Sequence, residues 1–246
     1  MGHRPRAPRP RPGGGGHGER ASRGGGTPVS LAWVVMQKDL RLAWRNRTAW
    51  LSAGAFATIS VLIYSFAFDL ATRDVRPLLP GVLWTTFLFA GVFAAGQSFQ
   101  HEADEGTFDA VLLSPASPTA IFFGKAASNL IALLVIECSQ LVLATILFNT
   151  ALISAELLAI VFVGTVGYVS LTTLLSIMGS RVRSRAVLLP VLSMPLLIPL
   201  LIGAVRATGA SLGIEAGTAP WMLLLAVFAL WSTLISALLF PIAVER

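Results

Sequence analysis

Apolar positions in this chain run in stretches rather than in stripes. A helix needs roughly twenty consecutive apolar residues to cross a bilayer core, and six segments reach that length: 49–68, 78–99, 127–148, 157–179, 186–205 and 221–244. The first, second, fifth and sixth contain no charged residue, whereas the third holds Glu137 and the fourth is bordered by Glu156. Ahead of them the pattern changes to a helical period. Over residues 29–48, Trp33, Met36, Leu40 and Trp44 share one face and Lys38, Arg41 and Arg45 another, which predicts a basic amphipathic helix lying on membrane headgroups, either as an anchor or as a grip for a partner. The predicted architecture is therefore all-α: a polytopic membrane protein with six transmembrane helices over 49–246, preceded by an interfacial helix.

Composition supports that class. Apolar residues make up 55 % of the 246 and charged residues 12 %, with a mean hydropathy of +0.76; ordinary soluble domains carry about twice that share of charge. The formal net charge of +6 is concentrated in residues 1–28, where six Arg are scattered among Pro and Gly. Such a segment cannot bury enough apolar surface to offset its ordering entropy and is predicted to be disordered. Without the tail's six Arg and Glu19 the remainder is near +1, so basicity gives no reason to expect a nucleic-acid partner.

Charge does orient the bundle. Lys38, Arg41, Arg45, Arg47, Lys125, Arg181, Arg183, Arg185 and Arg246 fall on the side of the termini, against Arg73, Arg76 and Arg206 on the other. The positive-inside rule then predicts both termini in the cytoplasm. Within that basic face lies one acidic stretch, FQHEADEGTFDAVLLSP, which holds Glu102, Asp104, Glu105 and Asp109, a third of the chain's twelve acidic residues. Thr107 is a good N-cap for a short helix over 108–113 with Asp109 at its positive end, stopped by Ser114-Pro115, and Ser117-Pro118 is suited to start the next helix. An acidic root with an apolar tip, from Phe108, Val111 and Leu112, suits a groove on a soluble partner; a solvated loop is the plainer alternative.

The inventory of reactive groups is short. Cys138 is the single cysteine, and His3, His17 and His101 all lie outside the spans, so no imidazole is at membrane depth to ligate haem iron or act as a base. Met178, Met194 and Met222 are conceivable soft ligands but read better as packing residues. No GxSxG, HExxH or P-loop pattern is present, so neither peptide cleavage nor nucleotide hydrolysis is expected of this chain. Glu137 is the costly residue: a carboxylate near the bilayer centre is unfavourable by a few kcal/mol or more unless protonated, paired or hydrated. It is predicted to face protein, either as a polar point in a translocation path or as a hydrogen-bonded packing residue. Pro190, Pro195 and Pro199 predict a bent fifth span, a static kink or a hinge. Gly164, Gly167 and Gly179 predict a small-residue surface for close helix packing, within the chain or against a second subunit.

The stretch FQHEADEGTFDAVLLSPASPTAIFFGK resembles the coupling motif of ABC-2 type permeases, and QKDLRLAWRNR and TTLLSIMGSRVRSRAVLLPVLSMPLLIPLLIGAV resemble the haem exporter B family within that group. The resemblance covers about residues 30–244. It implies a non-catalytic permease subunit whose segment 100–119 contacts a separate ABC ATPase. Glu102, Asp104, Glu105, Gly106, Thr107, Phe108, Leu112 and Pro115 would form the coupling site, and Gly124 and Lys125 would close the motif. It also implies a bacterial inner-membrane location, a haem-handling membrane subunit, a small accessory subunit and a periplasmic haem chaperone as partners. ATP would bind on the partner, and haem would be a handled ligand rather than a cofactor held here. Two rivals stay open at this point: an ABC-2 permease exporting a drug, lipid or polysaccharide, and an intramembrane enzyme using Glu137 and Cys138.

Overall fold

The computed structural model describes residues 28–45, 47–68, 74–104, 117–180 and 185–245. Seven α-helices make up most of this: α1 (Pro28–Arg45), α2 (Thr48–Ala67), α3 (Leu79–Asp104), α4 (Pro118–Leu147), α5 (Ala155–Ser180), α6 (Arg185–Ser211) and α7 (Ala219–Glu245). A single 3-10 turn, Arg76–Leu78, leads into α3, and no strand occurs among the described residues. Helices α2 to α7 are each long and apolar enough to cross a membrane. The chain is thus an all-α, multi-pass membrane protein with the predicted number of spans.

Helix ends depart from the hydropathy boundaries in an informative way. Helix α3 continues past the apolar limit at residue 99 as far as Asp104, and α4 begins at Pro118 rather than at residue 127. Hydropathy marks where hydrocarbon ends, whereas a helix ends where its backbone finds another partner. At the start of α4 that partner is Ser117, whose Oγ accepts from the Ala120 amide at 3.3 Å while Pro118 takes the first turn, as the Ser-Pro pair predicted. At the opposite end of the bundle, the turn after α6 places Gly213 at φ +74, and the Ile214 amide donates back to the Gly209 carbonyl at 3.0 Å. A left-handed residue closing the last carbonyls is a common helix stop.

Helix α5 is the centre of the bundle, touching α3, α4, α6 and α7. In its membrane window 72 % of residues are buried, against 28 % for α2 and α7. Its sequence explains how it can be surrounded. A Cβ on Gly164 would stand 2.3 Å from the Trp84 ring, and one on Gly167 would stand 3.1 Å from the Ala229 Cα, so the predicted small-residue surface admits α3 and α7 of the same chain. Two of its hydroxyls cost little at this depth because they bond back to their own helix, Ser170 to the Val166 carbonyl at 2.8 Å and Thr172 to the Tyr168 carbonyl at 2.9 Å.

The amphipathic helix α1 packs along α4 and barely meets α2. Protein contact therefore holds it, in addition to any headgroup contact, and the docking face is not the aromatic one. A Cβ on Gly124 would lie 2.7 Å from the Val35 Cβ and 2.8 Å from the Ala32 carbonyl oxygen, so α1 sits on α4 almost backbone to backbone. Trp33 and Trp44 point outward, 57 % and 72 % exposed.

Candidate functional sites

The acidic stretch joins α3 to α4 at the α1 end of the bundle. Glu102 and Asp104 fall on the last turn of α3. Glu105, Gly106, Thr107, Phe108, Leu112 and Pro115, and the short helix predicted at 108–113, lie outside the described residues. The two closing residues of the motif are described. Gly124 provides the close approach to α1, and the Lys125 Nζ stands 3.6 Å from Asp39 Oδ2, with side chains only 7 % and 10 % exposed. Lys38 adds a second cation 3.3 Å from Asp39 Oδ1. Asp39 was not singled out in the sequence, although a lone carboxylate in a basic helix is the kind of exception that marks a pairing.

Farther along α4, Glu137 is 2 % exposed and faces protein, as predicted. The Thr165 hydroxyl of α5 donates to Glu137 Oε2 at 2.6 Å and also lies 2.7 Å from the Val161 carbonyl, so one proton serves two acceptors. Around this pair Trp84 Nε1 donates to Thr208 Oγ1 at 2.9 Å, tying α3 to α6. The Tyr168 hydroxyl approaches the Leu88 carbonyl at 3.4 Å, its ring filling the space where Gly91 has no side chain. Trp84, Leu88, Glu137, Thr165 and Tyr168, with Leu200 and Leu201 of α6, line a cavity of about 10 Å³, room for at most a single water. Four spans thus converge on one buried polar cluster. In this conformation the cluster is a junction between helices; a substrate of any size would pass only if α4 and α5 separated.

Sequence reasoning identified Glu137 but not its partners. Thr165, Tyr168, Trp84 and Thr208 are each unremarkable in an apolar run, and only the packing brings them together. One rival reading ends here: Cys138 is exposed while Glu137 is buried, so the two do not form one site. The neighbouring Gln140 instead ties α4 to α2, donating to Thr58 Oγ1 at 3.2 Å.

The three prolines lie within α6, which runs as one helix from Arg185 to Ser211. Pro195 and Pro199 are exposed on one side, opposite the buried Leu197 and Leu200. The side of α6 that lacks their amide donors is therefore the outward side, where strain against neighbouring helices is smallest. Among the described residues, no group of three or more His, Cys, Asp or Glu is disposed to hold a metal ion.

No curated protein matches the chain. Residues 30–246 match the sequence profile of the family described as CcmB protein, which covers every span and nearly all of α1. The chain therefore belongs to the CcmB family, the permease components of the cytochrome c maturation haem exporter.

Proposed function

We propose that this chain converts the ATPase cycle of a separate subunit into movement of its own spans, in a bacterial inner membrane with both termini cytoplasmic. The acidic segment 100–119, with Glu102, Asp104, Glu105, Gly106, Thr107, Phe108, Leu112 and Pro115, is the contact with that ATPase. The observation that carries the reading is the continuity of α4. The helix starts at Pro118, at the end of the acidic segment, is clamped to α1 at Gly124 and Lys125, and runs unbroken to Glu137 and beyond. Twelve residues separate Lys125 from Glu137, about 18 Å of rigid helix at 1.5 Å per residue. A displacement at the segment reaches the buried polar junction without crossing a loop, and there α5 relays it to its neighbours. Pro190, Pro195 and Pro199 make α6 the span best suited to bend in response.

Haem is the handled ligand in this reading, passed between a haem-handling membrane subunit and a periplasmic chaperone, with a small accessory membrane subunit completing the assembly. Iron coordination belongs to those partners, since the three histidines of this chain all lie outside its spans. Purified chain that binds haem with axial histidine ligation would contradict that assignment.

The test is a pull-down in mild detergent with Glu102→Lys and Glu105→Lys combined, followed by an ATPase assay of the eluate. The wild-type chain is expected to bring down an ATP-hydrolysing subunit and the double reversal to lose it, with c-type cytochrome yield falling in parallel. An unchanged ATPase yield from the reversed chain would refute coupling through this segment.

A further inference from the structure

Helices α1 and α2 share an elbow near Arg47 yet barely touch each other, because α1 leans on α4 instead. The wedge between them is a groove of about 700 Å³, floored by α4 at Ile131, Val135 and Ser139, all three exposed. That volume falls in the range of about 300–1,000 Å³ common to small-molecule sites. The groove is polarised along its length. At the elbow it is bounded by Trp44, Arg47 and Trp50, while the lining farther along α2 is apolar and includes the small residues Gly54 and Ala55. Ser139 adds no polarity to the floor, since its hydroxyl donates to the Ile136 carbonyl at 2.6 Å.

The Arg47 guanidinium is held in place. Its Nε donates to the Trp44 carbonyl at 3.1 Å, and its centre lies 5.2 Å from the Trp44 ring, an arrangement in which cation–π attraction fixes the charge at the groove mouth. Among the described residues no acidic side chain pairs with it. A shallower hollow shares Leu40 and Trp44 with the groove and adds Arg41. A cation flanked by tryptophans immediately before a span, beside an apolar slot, matches an amphiphile with an anionic head and a hydrocarbon tail.

The geometry points to a specific site for one anionic phospholipid of the surrounding leaflet, its phosphate on Arg47 and one acyl chain in the slot between α1, α2 and α4. The lipid would then be part of the α1 docking surface, filling the space that α1 leaves when it leans on α4. The site is independent of the coupling segment, so its test stands apart from the ATPase experiment.

The full chain is reconstituted in nanodiscs of phosphatidylcholine with a minor fraction of phosphatidylglycerol. It is then exchanged into detergent and weighed by native mass spectrometry. The wild-type chain should retain one phosphatidylglycerol in preference to phosphatidylcholine. Gly54→Phe fills the slot, and a Cβ at that position meets nothing within 4 Å, so the variant should fold and lose the adduct. Val135→Phe, at a residue 66 % exposed in the groove floor, should do the same, whereas Ile146→Phe, at an outward residue 72 % exposed near the far end of α4, should not. Arg47→Gln should lower the preference for phosphatidylglycerol over phosphatidylcholine about fivefold, the scale of one basic side chain at a headgroup surface. Equal retention by wild type and Gly54→Phe would overturn the site. So would equal retention of the two lipids by wild type, or a groove occupied by a second copy of the chain and seen as a lipid-free dimer mass.

Discussion

At the scale of single residues, the least replaceable side chains are polar groups buried among apolar ones. Glu137 has one hydrogen bond of 2.6 Å from Thr165 and almost no access to solvent, so its neighbours decide what can stand there. Gln preserves the shape of the carboxyl group, and its amide can donate to Thr165 Oγ1 while the Thr165 proton serves the Val161 carbonyl. Glu137→Gln is therefore expected to fold and assemble normally but, on the proposed coupling through α4, to reduce c-type cytochrome yield, because it removes an ionisable group from the junction at that helix. Full yield from that variant would make Glu137 a packing residue only. Thr165→Val would strip the donor and leave a buried carboxyl unpaired, a change expected to cost about 1–3 kcal/mol and to show as a lower melting temperature in detergent.

At the scale of elements, the question is what keeps an interfacial helix from drifting away. Amphipathicity alone would let α1 slide on headgroups. Two features of α4 stop it: Gly124, which lets the backbones meet, and Lys125, buried against Asp39. Breaking a buried pair by removing one partner is destabilising by up to about 3–5 kcal/mol, because a desolvated charge is left behind. Asp39→Ala is expected to fall at or below the lower end of that range, since Lys125 has a further interaction besides Asp39. Its signature would be early release of α1, read as faster proteolysis between α1 and α2. The exchange Asp39→Lys with Lys125→Asp should recover part of the loss, and failure of any recovery would argue that the pair contributes only bulk.

Across the whole molecule, the two ends of the bundle are built differently. The α1 end carries the buried clamp and the acidic segment. At the opposite end the contacts are exposed: Arg206 pairs with Glu215 at 2.6 Å and sits 5.7 Å from the Trp221 ring, while Thr218 donates to Glu156. This network joins the ends of α5, α6 and α7 across the turn that Gly213 makes possible. Exposed pairs contribute about 0–1 kcal/mol, so Arg206→Gln is expected to shift the melting temperature much less than Asp39→Ala does. A larger shift would show that the far end, rather than the α1 end, holds the bundle together. Glu156 also illustrates how depth decides cost: near the interface a carboxylate reaches water and a loop hydroxyl, while Glu137 at mid-helix needs a partner within the protein.

What the sequence determined by itself follows from a single-chain requirement. In hydrocarbon every backbone amide must be satisfied within its own helix, so six apolar runs dictate six helices whatever they pack against, and Ser117-Pro118 dictates where one begins. The amphipathic period of residues 29–48 likewise dictated a helix but not its neighbour. Contact partners were decided only by tertiary structure, because membrane helices gain little from burying one apolar face over another. Which face turns inward depends on small residues and hydroxyls whose use is visible only when two helices meet, as at Gly164 under Trp84 or Thr165 beside Glu137. The same holds for α1: its two tryptophans, Trp33 and Trp44, look outward, while a glycine and a lysine on another helix meet its backbone and Asp39.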